Sequence, residues 1–401
     1  MTRQIKVGDV LIGGSAPIAI QSMSTFSPAD TEYAAAQINA LDEAGADIVR
    51  LAVPDKKAAE ALGVLRAKVK VPLVADIHFD YRLALTAMES GIDALRINPG
   101  NIGKRENVIK VVTMAKEKNI PIRIGINAGS LPEYILEEYG GHPTAEGMVA
   151  GALEHVRILE NENFHNIVIS VKSTDVPMMV RANRMLHDKV DYPLHLGVTE
   201  AGMLYRGTIK SAVGIGALLL DGIGDTIRVS LTDDPVKEVK AAKEILSSVG
   251  LQQYGPVLVS CPTCGRTQVN LIEMAQEVEK RLADMAVLIK NVSTFQKTKP
   301  AYDAYRKARN KDSYRAAHER EIILHEAAAK ALKAAGVSKL PNLTALQSEY
   351  EKLQEQKEAL YADYGRLKKQ VKEYDVIKQN IDSILRQPRE PEREKGKERG
   401  E

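Results

Sequence analysis

The chain has 401 residues, 44% hydrophobic and 27% charged, with 55 basic against 53 acidic side chains. This ordinary globular composition gives length for roughly two to three domains and excludes wholesale disorder. No apolar run approaches the roughly 20 residues of a membrane helix, the first nine residues lack a secretory core, and two cysteines exclude a disulfide scaffold and fit a reducing cytosol.

The net charge of +2 hides an asymmetry. Residues 1–284 carry about 30 basic and 35 acidic groups and residues 285–401 about 25 and 18, so roughly −5 against +7. Composition changes at the same place, from Gly and β-branched runs to Lys, Glu, Gln and Ala.

In chain order, strand-like runs occupy 16–23, 47–53, 72–78, 94–99, 121–127, 166–172, 193–200 and 225–232. They are short, dense in Val, Ile and Leu, and bounded by Gly, Pro or Asp, as strands covered on both faces of a parallel sheet are. Between them lie amphipathic stretches with apolar residues at helical spacing, among them 30–44, 56–68, 104–118, 144–162 and 235–248. Eight such cycles in about 245 residues predict an α/β fold of the (β/α)8 TIM-barrel class. A doubly wound open sheet is the alternative, but no Gly-rich dinucleotide fingerprint follows the first strand.

Polar residues fall at the strand ends: Arg50, Asp76 and His78, Arg96 and Asn98, Arg123 and Asn127, Lys172, Glu200, then Arg228 and Ser230. In a barrel the carboxyl ends converge on the active-site face. Any one of these residues has a plain alternative as a cap or rim ion pair. Five cations at five strand ends would repel one another by several kcal/mol unless an anion neutralised them. A phosphate or diphosphate is the natural ligand, since Arg offers a bidentate fork and Lys a point charge. Glu200 is expected as the lone carboxylate at that level and as a proton donor or acceptor. His78 has three readings: phosphate ligand, proton shuttle or structural histidine.

Several motifs carry a resemblance. Val74-Ala75-Asp76-Ile77-His78-Phe79, the stretch from Leu95-Arg96-Ile97-Asn98-Pro99 to Gly103, Pro121-Ile122-Arg123-Ile124-Gly125-Ile126-Asn127, Leu196-Gly197-Val198-Thr199-Glu200-Ala201-Gly202, Gly222-Ile223-Gly224-Asp225-Thr226-Ile227-Arg228-Val229-Ser230 and Ser260-Cys261-Pro262-Thr263-Cys264-Gly265-Arg266 resemble the bacterial 4-hydroxy-3-methylbut-2-enyl diphosphate synthases, nearly continuously from Val7 to about Met285. The resemblance implies reductive opening of 2-C-methyl-D-erythritol 2,4-cyclodiphosphate, in the methylerythritol phosphate route to isoprenoids, with a [4Fe–4S] cluster and single electrons from ferredoxin or flavodoxin. It implies that Arg50, His78, Arg96, Arg123, Asn127, Lys172, Arg228 and Ser230 hold the cyclic diphosphate, that Glu200 acts in proton transfer, and that the enzyme is a cytoplasmic homodimer.

The cluster ligands are where the chain departs. The family supplies three cysteines and a glutamate; Cys261 and Cys264 match the first two, while the third cysteine and its Gly-Pro-Gly-Glu continuation are absent. A CxxC pair alone is compatible with a cluster, zinc or a redox pair. Residues 249–286 therefore read as a remnant of the cluster domain, and cluster assembly and full activity are expected to be impaired. The alternative is a barrel that binds the diphosphate without reducing it, fused to an oligomerising coiled coil.

Residues 287–401 read as a helical tail. The stretch 301–335 is rich in Ala, Lys, Arg and Glu, Gly336 and Pro341 mark a break, and Leu346, Leu353, Leu360, Leu367, Tyr374 and Ile381 sit seven apart as a coiled-coil seam. Pro388 ends it, and 391–401 reads as a charged, disordered end. From about Val292 the tail resembles the C-terminal helical tail of mobilisation relaxases, most of all at Tyr374-Asp375-Val376-Ile377-Lys378-Gln379-Asn380, without the catalytic end of those nucleases. No tryptophan and 4% aromatics argue against a stacking surface for nucleic acid, and the basic surplus reads first as a solvated helix face.

Overall fold

The alternation of strand and helix closes into a ring. The computed structural model describes residues 2–98, 102, 105–254, 269–337, 340–346 and 348, and the chain divides into two units, residues 1–254 and 255–401. In the first unit a hairpin of β1 (Ile5–Val7) and β2 (Val10–Ile12) precedes β3 (Ala19–Met23), α1 (Thr31–Ala44), β4 (Ile48–Ala52), α2 (Lys56–Lys68), β5 (Leu73–Ile77), α3 (Tyr81–Glu89), β6 (Ala94–Ile97) and α4 (Arg105–Glu117). Then follow β7 (Ile122–Asn127), α5 (Glu133–Glu138), α6 (Ala145–Glu160), β8 (Ile167–Lys172), α7 (Val176–His187), β9 (His195–Leu196), α8 (Leu204–Leu220), β10 (Thr226–Ile227) and α9 (Pro235–Ser248).

The barrel strands pair in parallel in the order β8-β7-β6-β5-β4-β3-β10-β9, and a parallel bridge between Ile169 and Leu194 joins the two ends. This is the expected (β/α)8 barrel. Helix starts follow from short polar side chains: Asp55, Thr144 and Asp175 accept from the backbone N–H of Ala58, Gly147 and Met178 at 2.8, 3.0 and 2.7 Å. Gly45, with φ +97°, ends α1 in the left-handed conformation that glycine adopts without a Cβ penalty.

Two features depart from the sequence reading. The runs at 193–200 and 225–232 yield only two-residue strands, because beyond Leu196 and Ile227 the ladder loosens into single bonds such as Arg228 N–H to Leu196 O at 2.9 Å and Thr199 N–H to Ser173 O at 3.2 Å. The β1–β2 hairpin was not expected. It packs Val7 and Ile12 against Ala19, Ile48, Val74 and Ala94, which start or nearly start their strands, so it stoppers the amino-terminal mouth of the barrel.

The second unit contains α10 (Leu271–Lys307), α11 (Lys311–Ala317) and α12 (Glu319–Ala334). Helix α10 runs through 286–287, where a boundary was expected. The helix expected over 301–335 is interrupted, since α10 stops at Lys307 and Asn310 caps α11 by accepting from Ser313 N–H at 3.2 Å. Gly336, at φ +72°, follows the end of α12. Helices α10 and α12 pack together, and buried residues on them include Val292, Ile322, Ala328 and Leu332. Between them the His325 ring stacks on Phe295 and Tyr302 at centroid distances of 4.2 and 4.3 Å. Cys261 and Cys264, the heptads beyond 348 and the end at 391–401 lie outside the described residues. Among the described residues no helix is long and apolar enough to cross a membrane.

Candidate active site

Side chains alternate along each barrel strand between the helix layer and the lumen. In β7, Ile122, Ile124 and Ile126 belong to the main core beneath the helices, which leaves Arg123, Gly125 and Asn127 for the lumen. The lumen floor is Ala19, Ile48, Val74 and Ala94, over the hairpin. Two residues further along the same strands come Gln21, Arg50, Asp76 and Arg96. Strands β8 and β9 add Lys172 and His195, and β10 adds Thr226 followed by Arg228.

This layer is a charged network. Asp76, 4% exposed, takes Arg96 Nη1 at 3.1 Å, Arg50 Nε at 3.5 Å and His78 Nε2 at 3.5 Å. Arg96 also donates to Gly125 O at 3.3 Å, and a Cβ at Gly125 would lie 2.2 Å from Arg96 Nε, so only glycine leaves the guanidinium its place. Arg123 Nη1 donates to Gln21 Oε1 at 2.5 Å. Arg228 Nη2 lies 3.5 Å from Glu238 Oε1, which also accepts from Leu231 N–H at 2.9 Å, while Ser22 Oγ donates to Glu238 Oε2 at 3.3 Å. Lys172 Nζ is 3.2 Å from His195 Nε2, and His195 Nδ1 is hydrogen-bonded to Thr226 Oγ1.

Five cations, Arg50, Arg96, Arg123, Lys172 and Arg228, thus face two paired carboxylates, Asp76 and Glu238. The imbalance shows in their titration. Burial alone would raise Asp76, yet Arg50, the His78 hydrogen bond and Arg96 hold its carboxyl well below the usual range. Burial lowers Arg50 to about 10, against the pull of Asp76. Burial and then neighbouring guanidiniums push Arg123 and Lys172 well below their ordinary values, and His195 is lowered by burial and then by Lys172. Among the described residues, three buried donors of this layer lack a hydrogen-bond partner: Arg123 Nη2, Arg228 Nε and Gln21 Nε2. Unsatisfied buried donors cost about 1–3 kcal/mol each, a cost an anionic ligand removes.

The structure brings Arg50, Arg96, Arg123, Lys172 and Arg228 into one lumen, with two corrections. Arg123 is the second residue of β7, not its end. The stagger of a barrel puts different strand positions at one level, and Arg123 sits in register with Arg96. Nor is Glu200 the lone carboxylate. Asp76 and Glu238 are the carboxylates among the cations, while Glu200 is exposed in the loop after β9 with a left-handed φ of +51°. His78, half-exposed, stands at the rim beside Asp76 and lines with it, Ala52, Pro54 and Phe79 a cleft of about 250 Å³. Asn127 closes β7 opposite Lys172 in register, and Ser230, half-buried, follows β10.

Sequence reasoning missed Gln21, His195, Thr226 and Glu238. Glu238 was findable as a charged residue on the apolar stripe of α9 between Pro235 and Ala242; Gln21, His195 and Thr226 are single polar residues within their strands and carried no such signal.

Residues 2–243 match the GcpE TIM-barrel domain. The chain is 57% identical over 289 residues to the 4-hydroxy-3-methylbut-2-en-1-yl diphosphate synthase (flavodoxin) of Ruminiclostridium cellulolyticum, covering 72% of this chain and 82% of that protein. It is 59% identical over 282 residues to the synthase of the same name from Geobacter sulfurreducens, covering 70% and 80%. Among solved structures, dihydropteroate synthase from Stenotrophomonas maltophilia is similar at 16% identity and a TM-score of 0.45, over 63% of this chain and 100% of that one. The domain match covers most of the barrel and the identity to the synthases exceeds one half, so the chain belongs to the GcpE family of 4-hydroxy-3-methylbut-2-en-1-yl diphosphate synthases.

Proposed function

We propose that the barrel binds 2-C-methyl-D-erythritol 2,4-cyclodiphosphate, the substrate whose reductive ring opening to 4-hydroxy-3-methylbut-2-enyl diphosphate the family resemblance implies. The observation that carries this reading is the lumen of five cations against two carboxylates, with donors of Arg123, Arg228 and Gln21 left over. A diphosphate matches that surplus in charge and in acceptor geometry. Arg50, Arg96, Arg123, Lys172 and Arg228 supply charge, Asn127 and Ser230 supply polar contacts, and His78 closes the rim. Glu200, on its exposed loop, is assigned the proton transfer to the departing oxygen.

Electron delivery is a separate matter. The family's [4Fe–4S] cluster prefers four ligands, and this chain has two cysteines in all, Cys261 and Cys264. The donor set does not fit the cluster, so the assignment for this chain is substrate binding, with electron transfer from flavodoxin or ferredoxin impaired and residues 249–286 a remnant of the cluster domain. Self-association as a homodimer belongs to the same reading, supported by the exposed stripe Tyr205, Ile209 and Val213 on α8.

The test pairs calorimetric titration of the full chain with the cyclic diphosphate and iron and sulfide determination after anaerobic purification. Binding without a cluster is the expected result. Failure to bind would overturn the clamp, and about four irons per chain would overturn the impairment.

A further inference from the structure

Lys172 differs from its neighbours in what faces it. Arg50, Arg96 and Arg228 each meet a carboxylate, and Arg123 meets an amide oxygen. Lys172 meets an imidazole, that of His195, at 3.2 Å. Both side chains are buried, at 6% and 1% exposure, as is Thr226, whose hydroxyl holds the other ring nitrogen. Gly197 keeps the space open, since a Cβ there would lie 2.7 Å from Lys172 Nζ.

We propose that His195, oriented by Thr226, is a positioning residue that holds the Lys172 amine toward the diphosphate, and that Lys172 takes up a proton as the anion arrives. The inference rests on the reading that Lys172 contacts the diphosphate.

The chemistry follows from the donors. A neutral imidazole has one N–H; donated from Nδ1 to Thr226 Oγ1, it leaves the Nε2 lone pair to accept from Lys172. An imidazole, unlike a carboxylate, fixes the amine without neutralising a charge. The groups acting on Lys172 are Arg228, Arg50, Arg123 and Arg96, with burial the larger effect, and all oppose the ammonium form. Asp76 and Glu238 are engaged by Arg50, Arg96 and Arg228, and His78 stands beside Asp76. The diphosphate is then the opposite charge that favours the ammonium, whose three donors suit one phosphate oxygen and His195 Nε2 together.

The test is calorimetric titration of the full chain with the cyclic diphosphate near pH 8, in buffers of different ionisation enthalpy, so that affinity and proton uptake are read together. Wild type should take up protons on binding, and Lys172→Met should take up fewer and bind about tenfold or more weaker. His195→Leu should weaken binding about tenfold and lower the uptake, while His195→Gln, whose carbonyl replaces the acceptor, should retain both. In a Lys172→Met background His195→Leu should add nothing, the signature of a residue acting through another. Equal weakening by His195→Leu with and without Lys172, or Gln no better than Leu, overturns the inference alone. No binding by wild type, or wild-type affinity in Lys172→Met, overturns the role of Lys172 in the clamp and this inference with it. Should His195→Leu fail to fold, the isosteric Thr226→Val carries the same cycle with the same expected sign.

Discussion

Replacing Asp76 by Asn tests whether the barrel lumen is held together by its minority charges. The substitution preserves shape and removes the carboxylate shared by Arg96 at 3.1 Å and by Arg50 and His78 at 3.5 Å. At an effective dielectric near 20, each Arg–Asp contact is worth about 5 kcal/mol of gross attraction. Much of that offsets the desolvation of the carboxylate, and breaking such a buried pair typically costs about 3–5 kcal/mol net, because the partner cations stay buried without compensation. Asp76→Asn should therefore destabilise the unliganded barrel by about that amount at pH 7, read in urea from hydrogen exchange of the β4–β7 amides. The pH dependence has a definite sign. The folded carboxyl lies below its ordinary value, so its contribution is complete above the unfolded pKa of about 3.9 and fades as pH falls toward the folded value. The gap between wild type and variant should be flat from pH 8 to 5 and close only below about pH 4. Inorganic pyrophosphate at a hundredfold excess over its Kd should restore about 2.7 kcal/mol to whichever form it binds, and it should bind the variant more tightly. A gap under about 1 kcal/mol at pH 7 would refute the reasoning, since a carboxylate of so little consequence balances nothing.

Gly125→Ala should displace Arg96, because the added Cβ would meet Nε at 2.2 Å; affinity for the cyclic diphosphate should fall by about the 1.5–3 kcal/mol of a charge-assisted hydrogen bond, as in Arg96→Ala, and titration calorimetry compares the two. Glu200→Gln should leave that affinity unchanged and abolish any residual turnover measured with a chemical reductant; loss of binding would assign Glu200 a structural role instead. In the helical unit burial lowers His325 below the ordinary histidine value, so the stability of the α10–α12 pair should decline as pH falls through about 6.5. His325→Phe should flatten that dependence in thermal unfolding.

How much of this was legible in the sequence depends on the length of the signal. Eight apolar runs at regular spacing located eight strands, and helices at 56–68 and 235–248 agree to the residue with α2 and α9. The runs were read as uniformly apolar with polar ends. In Ile122-Arg123-Ile124-Gly125-Ile126-Asn127 the period is two, and the polar set belongs to one face throughout. Reading that period would have placed Arg123 in the lumen and not at its mouth. The β1–β2 hairpin is too short for periodicity to report, although Gly8 and Asp9 between Val7 and Val10 are turn residues between apolar flanks. His195, Thr226 and Gln21 escaped because a single polar residue in a strand becomes informative only when closure sets it beside another. Lys172 and His195 are 23 positions apart in sequence and 3.2 Å apart in the barrel.

The proposed binding site lies within the first unit, and the reason is the closure of that unit. The ring is completed by the bridge from Ile169 to Leu194, its floor is sealed by Val7 and Ile12, and Leu251 N–H still bonds back to Leu246 O at 3.1 Å while Gln252 donates to Ile18 O at 2.8 Å. Each cation of the lumen is borne by a strand of that ring or by the residue just after it, and both paired carboxylates, Asp76 and Glu238, precede residue 254 as well. A charge network of this kind is determined by the backbone that carries it, and every member named here is carried by the first unit. Deleting residues 255–401 should accordingly leave the affinity for the cyclic diphosphate within about twofold of the full chain, inside the few tenths of a kcal/mol expected for independent sites. A loss of about a hundredfold or more, some 2.8 kcal/mol, would show that the clamp is not complete within the barrel.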